Sequence, residues 1–191
     1  YLLLDLDFGF GLFGSTQENR LAMARNPMAN SNSSNMFDAI LENPTFKKYF
    51  INRYADLINT IYQPSNVNAM MHQFKDSMAF DMTFHFNKWG SDTISWNNNI
   101  AGMMSFANQR PAFMRSVLNS DFALSGEVNL TLNTLPLGSG RIEINTITPL
   151  SYPWTGVYFN GNPVTITAIP NPGYTFNHWT AGGISTNAGN D

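Results

Sequence analysis

Apolar and polar positions follow two different periods along the 191-residue chain. The opening run, Tyr1-Leu2-Leu3-Leu4-Asp5-Leu6-Asp7-Phe8-Gly9-Phe10-Gly11, starts apolar, turns alternating and breaks on glycine. That is the pattern of a strand feeding a loop. Residues 14–34 are rich in Ser, Asn and Gln and read as a long loop with one short helical turn. From Asn35 to Leu118 the spacing is helical. Met36–Leu41 forms a short amphipathic segment, and Asn43-Pro44 restarts a helix, with Asn as N-cap and Pro at the first helical position. Phe46, Phe50, Tyr54, Leu57, Ile58 and Ile61 then make one apolar stripe, which Pro64 terminates. Ser65 is the expected cap of the next helix, with Val67, Met70, Met71, Phe74, Met78, Met82 and Trp89 as its stripe. A further segment carries Ile100, Met103, Met104 and Ala107. The spacing predicts a break at Arg110-Pro111 and a last helix carrying Phe113, Met114, Val117 and Leu118.

Near Phe122 the period falls to two. Val128, Leu130 and Leu132 alternate with Asn129, Thr131 and Asn133, and Ile142 and Ile144 continue after a Gly138-Ser139-Gly140 turn. Alternation of this kind marks half-buried strands. Asn160-Gly161, between Val157–Phe159 and Val164–Ala168, predicts a hairpin. Pro170–Gly173 is a further turn, followed by Tyr174, Phe176 and Trp179. The change of period divides a helical domain, 1–121, from a β-rich domain, 122–191.

Composition narrows the function. Charged residues are only 12% of the chain and the formal net charge is −3, which excludes binding to nucleic acid through a basic patch. There is no cysteine, hence no disulfide, thiolate metal site or cysteine nucleophile. No apolar run reaches the roughly 20 residues of a membrane span. Low charge with 25 Asn points weakly to an exported bacterial protein. The chain reads as a piece of a longer protein.

Asp5 and Asp7 are the sharpest chemical feature. Residues two apart on a strand share a face, and paired carboxylates in an apolar strand need their charge offset. A Mg²⁺ ion, which takes one or two carboxylates plus phosphate and water oxygens, fits that need. Asp7-Phe8-Gly9 also spells the Asp-Phe-Gly tripeptide with which protein kinases hold Mg²⁺ against the nucleotide. Two other readings stand beside this one. The pair can lie on a solvated edge or cap the loop. It can also be a glycosidase pair, since two strand positions span roughly 6.5 Å, the lower limit for an inverting enzyme. Neighbouring positions on one strand rarely bracket a sugar from opposite faces, which disfavours that third reading. His72, His85 and His178 lack metal-binding spacing; His85 reads as a helix-end residue packed among aromatics. The methionines read as core filler.

Leu4–Gly11 resembles the Asp-x-Asp segment of the CotH (spore coat protein H) kinase family. So do Asn35-Met36-Phe37, Leu41–Lys47 and Phe50–Leu57, and after them His85, Lys88-Trp89, Arg110-Pro111 and Met114-Arg115. The resemblance covers roughly residues 1 to 120. It implies an atypical kinase-like fold, Mg²⁺ and ATP as cofactors, and phosphoryl transfer to Ser or Thr hydroxyls of a protein substrate. Asp7 would then be a metal and nucleotide ligand, with Asp5 as second ligand or support. The catalytic base and the ATP-gripping Lys are expected upstream of Tyr1, so this piece alone is expected to transfer no phosphate.

From about residue 122 the chain resembles an internalin-type B repeat (Listeria–Bacteroides repeat). The resemblance rests on Val128–Thr131, Gly140–Ile142, Tyr158–Ala168 and Pro172–Trp179, and implies a β-grasp-like module common in surface proteins. Val128, Leu130, Ile142, Ile144, Val164, Ile166, Phe176 and Trp179 would supply its core. Tyr158, Tyr174 and Trp179 are aromatics for either packing or binding, and a surface protein or glycan is the expected contact. The fold class expected is therefore α+β: a mostly helical kinase-like C-lobe fragment opening with a strand, then a small β-rich module. The leading function is the C-terminal part of a secreted or surface CotH-like kinase. The rival is a non-catalytic adhesion or scaffold protein.

Overall fold

A computed structural model describes residues 9–12, 14–25, 32–182 and 184–186, without the side chains of 32–35 and 184–186. The predicted opening strand, and with it Asp5 and Asp7, lies outside the described residues. Among the described residues five helices precede six strands: α1 Arg20–Arg25, α2 Asn32–Leu41, α3 Pro44–Asn59, α4 Pro64–Trp89, α5 Thr93–Asp121, β1 Glu127–Leu132, β2 Gly140–Ile144, β3 Trp154–Phe159, β4 Ile166–Pro170, β5 Trp179–Ala181 and β6 Ile184–Thr186. The class is α+β, as expected.

Local chemistry fixes most helix starts. The Asn43 side chain accepts from the amides of Thr45 and Phe46 at 3.0 and 3.1 Å, with Pro44 at the first position of α3. Asn43→Ala should cost about 1 kcal/mol of stability, read as a shifted urea midpoint at unchanged slope; no shift would mean that water caps the helix equally well. At α4 the expected cap is displaced. Gln63, not Ser65, is the N-cap, because Pro64 takes the first helical position and carries Ser65 into the first turn. Gly90, in the left-handed conformation at φ 71°, ends α4, and Asp92 caps α5 through the Ser95 amide at 2.7 Å.

The expected break at Arg110-Pro111 does not occur. Pro111 lies inside a continuous 29-residue α5. It removes the amide that would have bonded the Ala107 carbonyl. However, Pro111 itself and Met114, Val117 and Leu118 beyond it are buried, so packing holds the helix through the defect.

α4 and α5 form an antiparallel pair, tied by the Asn68–Asn108 side-chain bond at 2.8 Å and by Phe86 against Trp96 at 6.1 Å. The apolar stripe read on α4 is not a core: none of its 26 residues is buried, and Phe74, Phe80 and Trp89 are 59%, 77% and 68% exposed. Met70, Met78 and Met103 are likewise exposed, so they do not fill a core as expected. The pair touches the rest of the described chain mainly through the second half of α5.

The described residues of the β part form three antiparallel two-stranded ribbons, β1–β3, β2–β4 and β5–β6. The expected Asn160-Gly161 hairpin does not form. The turn is present, with the Asn162 amide bonded to the Phe159 carbonyl at 3.2 Å, but only Gly161 has positive φ, at 85°. The favoured hairpin turns need positive φ at the first central residue (type II′) or at both (type I′), and Asn160 does not have it. Instead β3 pairs back with β1, Tyr158 facing Val128, and β4 pairs with β2, Ala168 facing Ile142.

One continuous core joins helices and ribbons. Ile51, Ala55 and Ile58 of α3 and Met114, Val117 and Leu118 of α5 cluster with Leu132, Ile142, Ile144, Tyr158 and Phe159. Ile142 and Ile144 are buried as expected, and Leu130, Val164, Ile166 and Trp179 pack against them half-buried. Val128 is 42% exposed at the end of its ribbon, and Phe176 is half-buried against Trp179 at 5.0 Å. Tyr158 packs inside, whereas Tyr174 stays exposed.

Candidate functional site

Gly9–Leu12, which follow Asp7-Phe8 in the sequence, form a tight loop after the expected metal-binding segment. Phe10 and Gly11 both have positive φ, 54° and 77°, and the Leu12 amide closes the turn on the Gly9 carbonyl at 3.4 Å. An aromatic residue is uncommon in that conformation. Phe10 is held there by the edge of Phe106 on α5, centroids 5.9 Å apart. A Cβ on Gly11 would meet the same Phe106 ring at 3.0 Å, so this position requires glycine on both steric and conformational grounds.

Arg110 fastens the rest of the loop. Its Nη1 donates to the carbonyls of Thr16 and Glu18 at 2.7 and 2.8 Å, while its guanidinium lies over the rings of Phe106 and Phe113 at 5.6 and 5.2 Å. Burial pulls this guanidinium below the usual arginine range, with the Tyr54 phenol opposing the change. Burial likewise pushes Tyr54 up, with Arg110 opposing. Between the loop and helices α3, α4 and α5 lies an apolar groove of about 780 Å³, lined among others by Phe10, Tyr54, Ile58, Met70, Phe106 and Met114. Among the described residues no group of three or more His, Asp or Glu side chains is placed to hold a metal.

A second constellation sits where α3 meets the ribbons. Asp56 is wholly buried. Its Oδ1 accepts from the Tyr158 hydroxyl at 2.8 Å and from Asn145 Nδ2 at 3.2 Å. Its Oδ2 accepts from the Thr146 hydroxyl at 2.6 Å and the Thr146 amide at 3.1 Å. Four donors therefore meet the roughly four acceptor positions of one carboxylate, which is how a buried charge is made tolerable. Arg53 Nη1 donates to the same Thr146 hydroxyl at 2.7 Å, bringing a positive charge one step away. Burial, then the Asp56 carboxylate, push the Tyr158 phenol far above its ordinary range, so it remains a donor.

One turn to either side, two asparagines extend the contact. Asn59 grips β3 by its backbone, donating to the Val157 carbonyl at 2.8 Å and accepting the Val157 amide at 3.0 Å. Asn52 donates to the Pro163 carbonyl at 2.8 Å and accepts from Asn162 at 2.7 Å.

Sequence reasoning passed over these three residues. It read the α3 stripe as Phe46, Phe50, Tyr54, Leu57, Ile58 and Ile61. The buried residues are Ile51, Asn52, Ala55, Asp56, Ile58 and Asn59, whereas Ile61 is 60% exposed. α3 buries a second side against the ribbons, and that side is polar. The available signal was a set of polar residues at four- and three-residue steps beside the apolar stripe. The three histidines lie apart and exposed, with His85 against Phe86 at 6.2 Å.

Comparison with known proteins agrees with this architecture. Residues 1–114 match the family model described as CotH kinase protein, and residues 143–190 match the divergent InlB B-repeat domain. The chain belongs to the CotH kinase protein family, a kinase-like relationship, and carries a repeat module behind it. The repeat match begins within β2, while the ribbon pairing reaches back to Glu127. No curated protein and no solved structure matches the chain. No helix among the described residues is long and apolar enough to cross a membrane.

Proposed function

We propose that the chain is the rear part of a Mg²⁺- and ATP-dependent protein-kinase-like phosphotransferase, secreted or surface-exposed on a bacterium, acting on Ser or Thr hydroxyls of a protein. The observation that carries this reading is the family match over residues 1–114, which spans Asp5-Leu6-Asp7-Phe8-Gly9. The donor set fits the ion: two carboxylates leave most of an octahedral shell to phosphate and water oxygens. Asp7 and Asp5 would hold it. When bound, Mg²⁺-ATP supplies the transferable phosphoryl group and the charge neutralisation that such transfer depends on. The chain's own contribution is positional. Phe10 and Gly11 pack on Phe106 of α5, and Arg110 holds the Thr16 and Glu18 carbonyls, so the chain that follows the Asp-Phe-Gly segment is fastened to α5. The repeat module supports the surface location and offers a contact for a surface protein or glycan.

The reading is tested by ligand-induced stabilisation of the natural full-length protein with a non-hydrolysable ATP analogue. At 100 times its Kd such a ligand stabilises by about 2.7 kcal/mol. The shift should require Mg²⁺ and vanish in Asp7→Asn. A shift that ignores Mg²⁺, or that survives Asp7→Asn, removes Asp7 from its role. No shift under any condition supports the rival, a non-catalytic adhesion or scaffold protein.

A further inference from the structure

We propose that the repeat module is a helix-recognition platform whose ligand in this chain is the Asn52/Asp56/Asn59 stripe of α3, so that module and helical part unfold as one unit. A module joined to a helical part by a short junction can fold as a self-contained spacer. The contact here has the chemistry of specific recognition instead. The three residues follow one face of α3 at four- and three-residue steps, and all three are buried. Each is matched by its own set of module groups: Asn52 by the turn at 162–163, Asp56 by Asn145, Thr146 and Tyr158, and Asn59 by the Val157 backbone.

The module is shaped for this helix. Asn145 holds φ at 49°, a left-handed conformation that asparagine tolerates. Its side chain then bonds Asp56 at 3.2 Å while its Oδ1 accepts the Thr165 amide at 2.9 Å. On β3, a Cβ at Gly156 would clash with the Trp154 ring and come within 3.1 Å of Asn59 Nδ2, so glycine leaves room for the ring and the asparagine together. Burial of unmatched polar groups penalises a wrong helix, which makes such a stripe discriminating as well as adhesive. Ribbons β1–β3 and β2–β4 have only two strands each; isolated pairs of that size are marginal until packed on a further element, and α3 is such an element.

The test uses the full chain and reads each side from the other, by hydrogen exchange with mass spectrometry and by scanning calorimetry. Asn52→Ala alters only the helix, and alanine is the better helix former. If the parts were independent, α3 would gain protection and the module would be unchanged. Docking predicts the reverse: peptides covering β2 to β4 lose protection by about tenfold, the scale of one hydrogen bond with its buried partners left unmatched. Thr146→Ser keeps the hydroxyl and Thr146→Ala removes it; both alter only the module, and the alanine variant should deprotect α3 by a similar factor while the serine variant does so much less. Wild type should melt in one transition and the two alanine variants in one earlier transition. Two transitions in wild type, or variants whose effects stay on their own side, would overturn the proposal. The substitutions are mild, so the chain stays folded for the reading.

Discussion

Asp56→Ala is expected to lower the unfolding free energy by about 3–5 kcal/mol, because four buried donors lose their acceptor together and each buried group left unsatisfied costs about 1–3 kcal/mol. The loss is not that of an ion pair, since no basic group touches this carboxylate among the described residues. It comes from what is left behind. The Tyr158 hydroxyl, the Thr146 hydroxyl and amide, and Asn145 Nδ2 would all face a cavity from which water is largely excluded. Asp56→Asn should cost less, because one oxygen still accepts, although its amide meets donors where Oδ2 stood. Urea unfolding of wild type and both variants at neutral pH measures the series. A change below about 1 kcal/mol for alanine would mean that water or local collapse satisfies the four donors, and the junction would then be only a loose contact.

Leu118→Ala is the second large effect, at about 2–5 kcal/mol for a buried leucine whose surroundings relax only in part. Leu118 has no exposed surface. It lies in the last turns of α5, within the cluster that joins Ile51 and Ile58 of α3 to Ile142, Ile144 and Tyr158 of the ribbons. The cavity should therefore weaken β2 and β3 as much as the helices. Calorimetry should show a single transition at lower temperature. A lowered helical transition beside an unmoved β transition would show that the cluster is two cores in contact.

What was legible in the sequence follows the range of the interactions. The α3 start at Asn43-Pro44 is written within four residues, and the structure follows it. The two periods, and hence the order of helices before strands, are equally local. Pro111 misleads because the local rule predicts a break while buried neighbours on both sides of it keep α5 whole. Asn160-Gly161 misleads in the same way: the turn forms, but the strands on either side pair with partners elsewhere in the chain. Asp56 was invisible for a stronger reason. A lone acidic residue in a helix reads as a solvated face, and its donors lie 89 to 102 residues further on. The α4 stripe shows the converse limit. Periodicity reports that a face is apolar and not what covers it, and α4 remains exposed. For the expected metal site, Asp5 and Asp7 rest on the sequence and the family match, while the structure supplies the later chain that packs on α5 through Phe10 and is bonded to Arg110 at Thr16 and Glu18.

The central functional claim is that Asp7 makes phosphoryl transfer possible. The most direct measurement is incorporation of labelled phosphate from ATP by the natural full-length protein with Mg²⁺, wild type beside Asp7→Ala, with folding of both verified by circular dichroism. The account predicts labelling on serine or threonine in the wild type and labelling at background in the variant. Equal labelling of the two proteins would contradict it.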